Sequence, residues 1–143
     1  NVKLIKDYDA RLKPIKSDAK FLRIIFQNLL SNAVKYNRDQ GKVYLTIAQK
    51  GLKLFIEIRD TGMGIPQHQQ HKIFTRLFRA DNAKEKVTEG SGLGLYLIKL
   101  AVEKGGGKIW FDSQEGKGTA FFIELPIDGW AKAAKKQEKN KHN

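Results

Sequence analysis

Between Phe21 and Tyr36 the apolar residues Leu22, Ile25, Phe26, Leu29, Leu30 and Ala33 recur at steps of one, three and four. At 100° per residue they form one stripe, so the spacing predicts an amphipathic helix running to about Asn37, with Ser17 or Asp18 as its N-cap. Further on the period changes to two. Val43, Leu45 and Ile47 alternate with Tyr44 and Thr46, and after Lys50-Gly51-Leu52 the residues Leu54, Ile56 and Ile58 alternate with Phe55 and Glu57. That is the pattern of two half-buried strands in a hairpin, which delivers Asp60 to the edge of the sheet. After Pro66, Ile73, Phe74, Leu77 and Phe78 return to helical spacing and predict a core-facing helix ending near Arg79. Residues 80–89 show no period, and a mobile loop is expected there. A further helix carries Leu97, Ile98, Ala101 and Val102 and is closed by Gly105-Gly106-Gly107; two strands over 108–113 and 119–125 end at Pro126. Residues 1–15, with Val2, Leu4 and Ile5 ahead of Pro14, predict a short strand and a loop. The order strand, helix, hairpin, helix, loop, helix, hairpin predicts an α+β fold, a two-layer α/β sandwich whose mixed, mostly antiparallel sheet is covered by about three helices on one face.

Three polar features interrupt this pattern. On the first helix Asn28, Asn32, Lys35 and Tyr36 form a second stripe beside the apolar one, related by the steps that bring side chains together. Carboxamide oxygens are hard ligands suited to Mg²⁺, a lysine one turn on can meet phosphate oxygens, and a tyrosine can lie on a flat ring; the other reading is a helix whose polar side meets solvent. The second feature is Asp60-Thr61-Gly62-Met63-Gly64-Ile65-Pro66. A carboxylate at a strand end can accept a hydrogen bond from a ligand amino group, and Gly62 and Gly64 permit a tight turn and close approach of a flat ligand; the plainer reading is a turn. The third is Gly90-Ser91-Gly92-Leu93-Gly94-Leu95, alternate glycines at a helix start, where backbone N–H groups and the helix dipole favour anions. It lacks the Gly-Lys-Ser/Thr ending of a P-loop and the Gly-x-Gly-x-x-Gly spacing. His68 and His71 sit one turn apart, but no third ligand stands at metal spacing, and a solvated pair is expected.

Composition narrows the classes. At 143 residues with 41% hydrophobic content one domain with a real core is expected, over residues 1–128, followed by a basic, disordered tail over 129–143. No cysteine is present, which points to a reducing, cytoplasmic setting, and no apolar run approaches the roughly 20 residues that span a bilayer. Neither an initiator Met nor a signal-peptide pattern opens the chain, so a piece of a longer protein is expected. The net charge of +12 invites a nucleic-acid reading, but +4 of it lies in the tail, where Lys132, Lys135, Lys136, Lys139 and Lys141 face Glu138 alone. The remainder is scattered, and no nucleic-acid partner is expected.

Taken together, a carboxylate for a ring amino group, asparagines and a lysine for Mg²⁺-phosphate, and a glycine-rich helix start for more phosphate suit a purine nucleoside triphosphate. Residues 28–36, 60–66, 73–79 and 90–95, followed by Gly118-Thr119-Ala120-Phe121 and Leu125-Pro126, resemble in order the N box, first glycine box, F box and second glycine box of the ATP-binding catalytic domain of sensor histidine kinases. The resemblance spans about residues 17–126 and implies a Bergerat-type ATP-binding fold with a mobile ATP lid over 80–92. By similarity Asp60 would bind the adenine amino group, Tyr36 would lie against the adenine, and Asn32, with Asn28 as a second ligand, would hold Mg²⁺ between phosphates. Lys35 and Arg79 would approach phosphates, and Gly92 and Gly94 would cradle them. Gly62, Gly64, Ile65, Phe74, Ser91, Leu93, Leu95 and Thr119 complete the ATP site that the resemblance implies. Asn37, where Thr or Ser is commoner, and Gly105, where His often precedes the glycines, depart from the pattern.

ATP-hydrolysing members of the wider superfamily resemble one another in a glutamate one turn before the metal-binding Asn. Here that position is Asn28, and an amide cannot take a proton from water, which argues for phosphotransfer. The family's phosphoacceptor is a histidine followed by an acidic residue in a separate dimerisation domain; His68, His71 and His142 are followed by Gln69, Lys72 and Asn143. The resemblance therefore implies a catalytic ATP-binding domain unable to autophosphorylate alone. Its partners would be the dimerisation/histidine-phosphotransfer domain of the same receptor and, indirectly, a response regulator. The fragment is expected to be monomeric, within a homodimeric receptor whose anchoring in the bacterial inner membrane stays open. An anti-sigma-type serine kinase and a non-catalytic nucleotide-binding or interaction module are the alternatives.

Overall fold

A computed structural model describes residues 1–87, 90–128 and 139–140. The expected tail over 129–143 therefore lies almost wholly outside the described residues. Five strands form one sheet in the order β1-β2-β3-β5-β4: β1 (Lys3–Tyr8), β2 (Lys42–Lys50), β3 (Lys53–Asp60), β4 (Lys108–Gln114) and β5 (Gly118–Pro126). Only the β1–β2 pair is parallel, so the sheet is mixed and mostly antiparallel. Helix α1 (Ala19–Lys35) packs against β2, β3 and a later helix, α3 (Gly94–Lys104), which in turn packs against β4.

The period-two positions become one apolar face. Leu45 pairs with Ile58, Ile56 with Ile123, Leu54 with Leu125, and Phe111 with Phe121. Ile25, Leu29 and Ala33 of α1 and Ile98 and Val102 of α3 close over them as one core cluster. Burying a side chain such as Ile25 or Ile98 stabilises the fold by about 1.5–3 kcal/mol each. Asp18 is the N-cap of α1, its Oδ1 accepting from the Lys20 N–H at 2.8 Å.

Three expectations change. Strand β3 is the middle strand, so Asp60 stands at the end of the central strand and not at the sheet's edge. No helix covers residues 73–79: a 3₁₀ helix spans Gln67–Lys72, and Leu77 has φ +62°, a left-handed conformation that breaks a helix and leaves its side chain 64% exposed instead of in the core. Within the expected loop, residues 81–86 form a short helix, α2 (Asp81–Lys86), which buries no side chain. Its N-terminal turn is held from outside, since Gln69 accepts from the Asp81 N–H at 2.9 Å and donates to the Asp81 carboxylate at 2.6 Å. That amide donation, first, holds the Asp81 carboxyl below its usual range.

Candidate functional site

Strand periodicity aims the key carboxylate. Leu54, Ile56 and Ile58 of β3 face the helices, so Asp60, two residues on, points to the same side just past the end of the core. There it lines a cavity of about 210 Å³. Its Oδ1 accepts from the Gly62 N–H at 2.8 Å and the Thr119 N–H at 3.3 Å. Burial nevertheless raises its pKa, with those two donors opposing the shift. With both backbone donors on Oδ1, the second carboxylate oxygen remains an acceptor for a ligand N–H.

The last two turns of α1 supply Asn28, Asn32 and Lys35 to the same cavity, and its C-cap supplies Tyr36. The polar stripe thus lines a pocket instead of meeting open solvent. Asn28 donates through Nδ2 to the Ile24 carbonyl one turn back, at 2.8 Å, which commits its amide and leaves Oδ1 as the free acceptor. That oxygen faces the start of α3, where a Cβ on Gly94 would stand 2.8 Å from it. Glycine at 94 therefore lets the two helices close as well as baring backbone N–H groups. The donor set suits a hard cation held mainly by phosphate oxygens, because carboxamide oxygens are weak neutral ligands that complete a shell. Among the described residues no three His, Cys, Asp or Glu side chains gather as a metal site.

Of the other residues singled out in the sequence, Gly64, Ile65, Arg79, Ser91, Gly92, Gly94, Leu95 and Thr119 line the cavity. Gly62, Phe74 and Leu93 do not. Gly62 is buried where a Cβ would lie 2.3 Å from the Tyr36 carbonyl oxygen, so its smallness serves the packing of the loop on α1 and not a ligand. Gly64, at φ +65°, lines the cavity, yet a Cβ there would lie 2.0 Å from the Gln114 carbonyl oxygen; the β4–β5 hairpin enforces it too. Phe74 is packed edge-on against Phe111 and Phe121, at centroid distances of 5.8 and 6.4 Å. Leu93 precedes α3, its N–H bonded to the Ser91 hydroxyl.

Arg79 lines the cavity with its guanidinium turned to the chain that follows, donating to the Ala83 and Val87 carbonyls. Sequence reasoning missed Met63, Ile73, Phe78, Ala80, Asn82, Ala83, Gly90 and Phe121 as lining residues. Met63 could have been found, since it lies between two singled-out glycines. Asn82 could not, because only α2 carries it over the pocket, where it donates to the Gly64 carbonyl at 3.1 Å.

Residues 17–129 match the model of a family described as histidine kinase-, DNA gyrase B- and HSP90-like ATPases. The sensor protein kinase WalK of Staphylococcus haemolyticus is 42% identical over 106 residues, 73% of this chain and 17% of its own length; a Staphylococcus aureus WalK sequence is likewise 42% identical, with 26% of its length covered. The chain thus spans about a fifth of such relatives. Among solved structures, the mycobacterial sensor histidine kinase MprB superposes with a TM-score of 0.75 at 31% identity, covering 87% of this chain and 83% of that one. Full-length ShkA in complex with AMPPNP gives 0.74 at 28% identity, covering 87% of this chain and 25% of that one.

Proposed function

The chain belongs to the histidine kinase-, DNA gyrase B- and HSP90-like ATPase family, and we propose that it is the catalytic domain of a sensor histidine kinase, binding Mg-ATP and presenting the γ-phosphate to a histidine on a separate dimerisation domain. The observation that carries this reading is the cavity itself. A half-buried, ionisable carboxylate at one end and the paired Asn28 and α3 N-terminus at the other offer an adenine amino group and a magnesium-bound phosphate chain their complementary partners. Asp60 accepts the amino N–H, and Tyr36 and Ile65 supply cavity wall for the base. Asn32 and the free Oδ1 of Asn28 hold Mg²⁺, which when bound neutralises phosphate charge. Lys35 adds a cation beside them.

Phosphoryl transfer asks little more of the protein than positioning and charge neutralisation. Asn28 occupies the place where a general base would sit, with its N–H group committed to the Ile24 carbonyl; it holds the site without activating water. His68 and His71 lie on the exposed 3₁₀ helix, each followed by a non-acidic residue, so the nucleophile comes from outside these residues. The domain is therefore inert toward itself. Calorimetric titration with Mg-ATP tests binding, and γ-labelled ATP tests transfer. We expect binding without stable label on the isolated domain; stable label on it, or no heat with Mg-ATP, overturns the reading.

A further inference from the structure

Asn37 lies outside the cavity, yet it ties together three elements that form it. It is 4% exposed, one of two buried polar residues in the described chain. Every polar position of its carboxamide is used. Nδ2 donates to the Ala33 carbonyl on α1 and to the Lys42 carbonyl at the start of β2, both at 3.0 Å. Oδ1 accepts from the Arg38 N–H at 2.9 Å and from the Thr61 hydroxyl at 3.2 Å. Gly41 leaves room for this, since a Cβ there would stand 1.9 Å from Oδ1. The backbone carbonyl of Asn37 also accepts from the Lys86 ammonium at the end of α2.

The contact with Thr61 falls where the sheet stops holding the chain. The β2–β3 ladder ends at the pair Val43 and Asp60, so the next residue needs another anchor. Thr61 finds it in a closed set: its N–H donates to the Lys42 carbonyl at 3.1 Å, its hydroxyl accepts from the Lys42 N–H at 2.9 Å, and the hydroxyl donates to Asn37. One residue further, the Gly62 N–H fixes the Asp60 carboxylate. We infer that Asn37 is a positioning residue for base recognition, fixing through Thr61 and Gly62 the direction in which Asp60 presents its carboxylate to the ligand's ring amino group.

This rests on the reading of the cavity as an ATP site, and the test separates the two. Mg-ATP and Mg-ITP, which carries an exocyclic carbonyl oxygen in place of the amino group, are titrated calorimetrically into the wild type, Asn37→Ala, Thr61→Val, the double variant and, as a control, Ile123→Val. The wild type should prefer ATP by at least about tenfold, because a site built around a hydrogen bond rejects the analogue lacking it. Asn37→Ala and Thr61→Val should each bring ITP to within about threefold of ATP, and the double variant should lose no more than the worse single one, as expected of residues acting in one chain. Ile123→Val should lower the melting temperature and keep the wild-type ratio. Both polar variants melting lower with an unchanged ratio would show a purely structural role and overturn the inference alone. A wild type that binds neither nucleotide overturns the ATP-site reading with it. Should Asn37→Ala fail to fold, Thr61→Val decides the question from the other end of the same bond.

Discussion

The two sides of the cavity are built differently. The wall carrying Asp60 is an extension of the core: its carboxylate, Thr61 and Ile65 are bonded to β5, β2 and β4 through backbone and short side chains, and the buried Asn37 accepts from the Thr61 hydroxyl. A second side, around α2, contributes no buried side chain from the six residues of that helix. Polar contacts hold it: Asn82 to the Gly64 carbonyl, Gln69 to Asp81 twice, Arg79 to the Ala83 and Val87 carbonyls, and Lys86 to the Asn37 carbonyl. A segment with little apolar burial opens at small cost. Under the proposed function the first wall would receive the base, and the second would admit and release the nucleotide without disturbing the sheet.

Removing the preformed acceptor breaks this contrast most severely. Asp60→Asn should lose Mg-ATP affinity by at least about 100-fold, roughly 2.7 kcal/mol, while leaving the melting temperature at pH 7 unchanged or raised. Asparagine keeps an oxygen for the Gly62 N–H and removes a partly desolvated charge. Calorimetry and thermal melting on the same variant check both halves. Asn32→Ala should cost Mg-ATP binding about tenfold, within the range seen for lost metal-site support, and should erase the difference between titrations with Mg²⁺ and with chelator.

Acid offers a graded version of the first change. The folded Asp60 has a pKa raised by burial, so protonation as pH falls through that raised value removes the acceptor, and affinity should decline by at most about tenfold per pH unit. Stability moves the other way. The unfolded carboxyl ionises at lower pH than the folded one, so the Asp60 contribution is lost as pH rises from the ordinary carboxylate value through the raised one, and is constant above it. A melting series of wild type against Asp60→Asn isolates that slope.

On the weakly held side the effects should be smaller. Asn82→Ala should raise the nucleotide dissociation rate about threefold, the order expected from one modest hydrogen bond, with no change in melting temperature; a loss of stability would show that α2 belongs to the core after all. Leu77→Gly should stabilise the domain by up to about 1 kcal/mol, since glycine adopts the left-handed conformation without the penalty of a Cβ. Stopped-flow release and thermal melting read these two.

What could be read in advance follows from which forces are local. Period and capping gave α1, the two hairpins and α3, because stripes such as Ile25, Leu29 and Ala33, or alternations such as Leu54, Ile56 and Ile58, can be buried in only one way. The same reasoning failed over residues 73–79, where apolar spacing mimicked a helix that Leu77 interrupts. It failed again over 81–86, where a six-residue helix is too short and too polar to show a stripe. The cavity divides along the same line. Asp60, Asn28, Asn32 and the glycines around 92 stood out because their residue types are costly in a strand end or helix face without a purpose.

The sequence by itself therefore determined α1, α3 and the two hairpins, their buried faces and the chemistry of the polar groups that face the cavity. Tertiary structure alone decided that β3 is central, that Gly62 serves packing against the Tyr36 carbonyl, and that Asn82 joins the pocket. It also decided that Asn37 closes a network with Ala33, Lys42 and Thr61. These outcomes depend on contacts between residues far apart in the chain, and no local period or motif encodes how closely two distant backbones will approach.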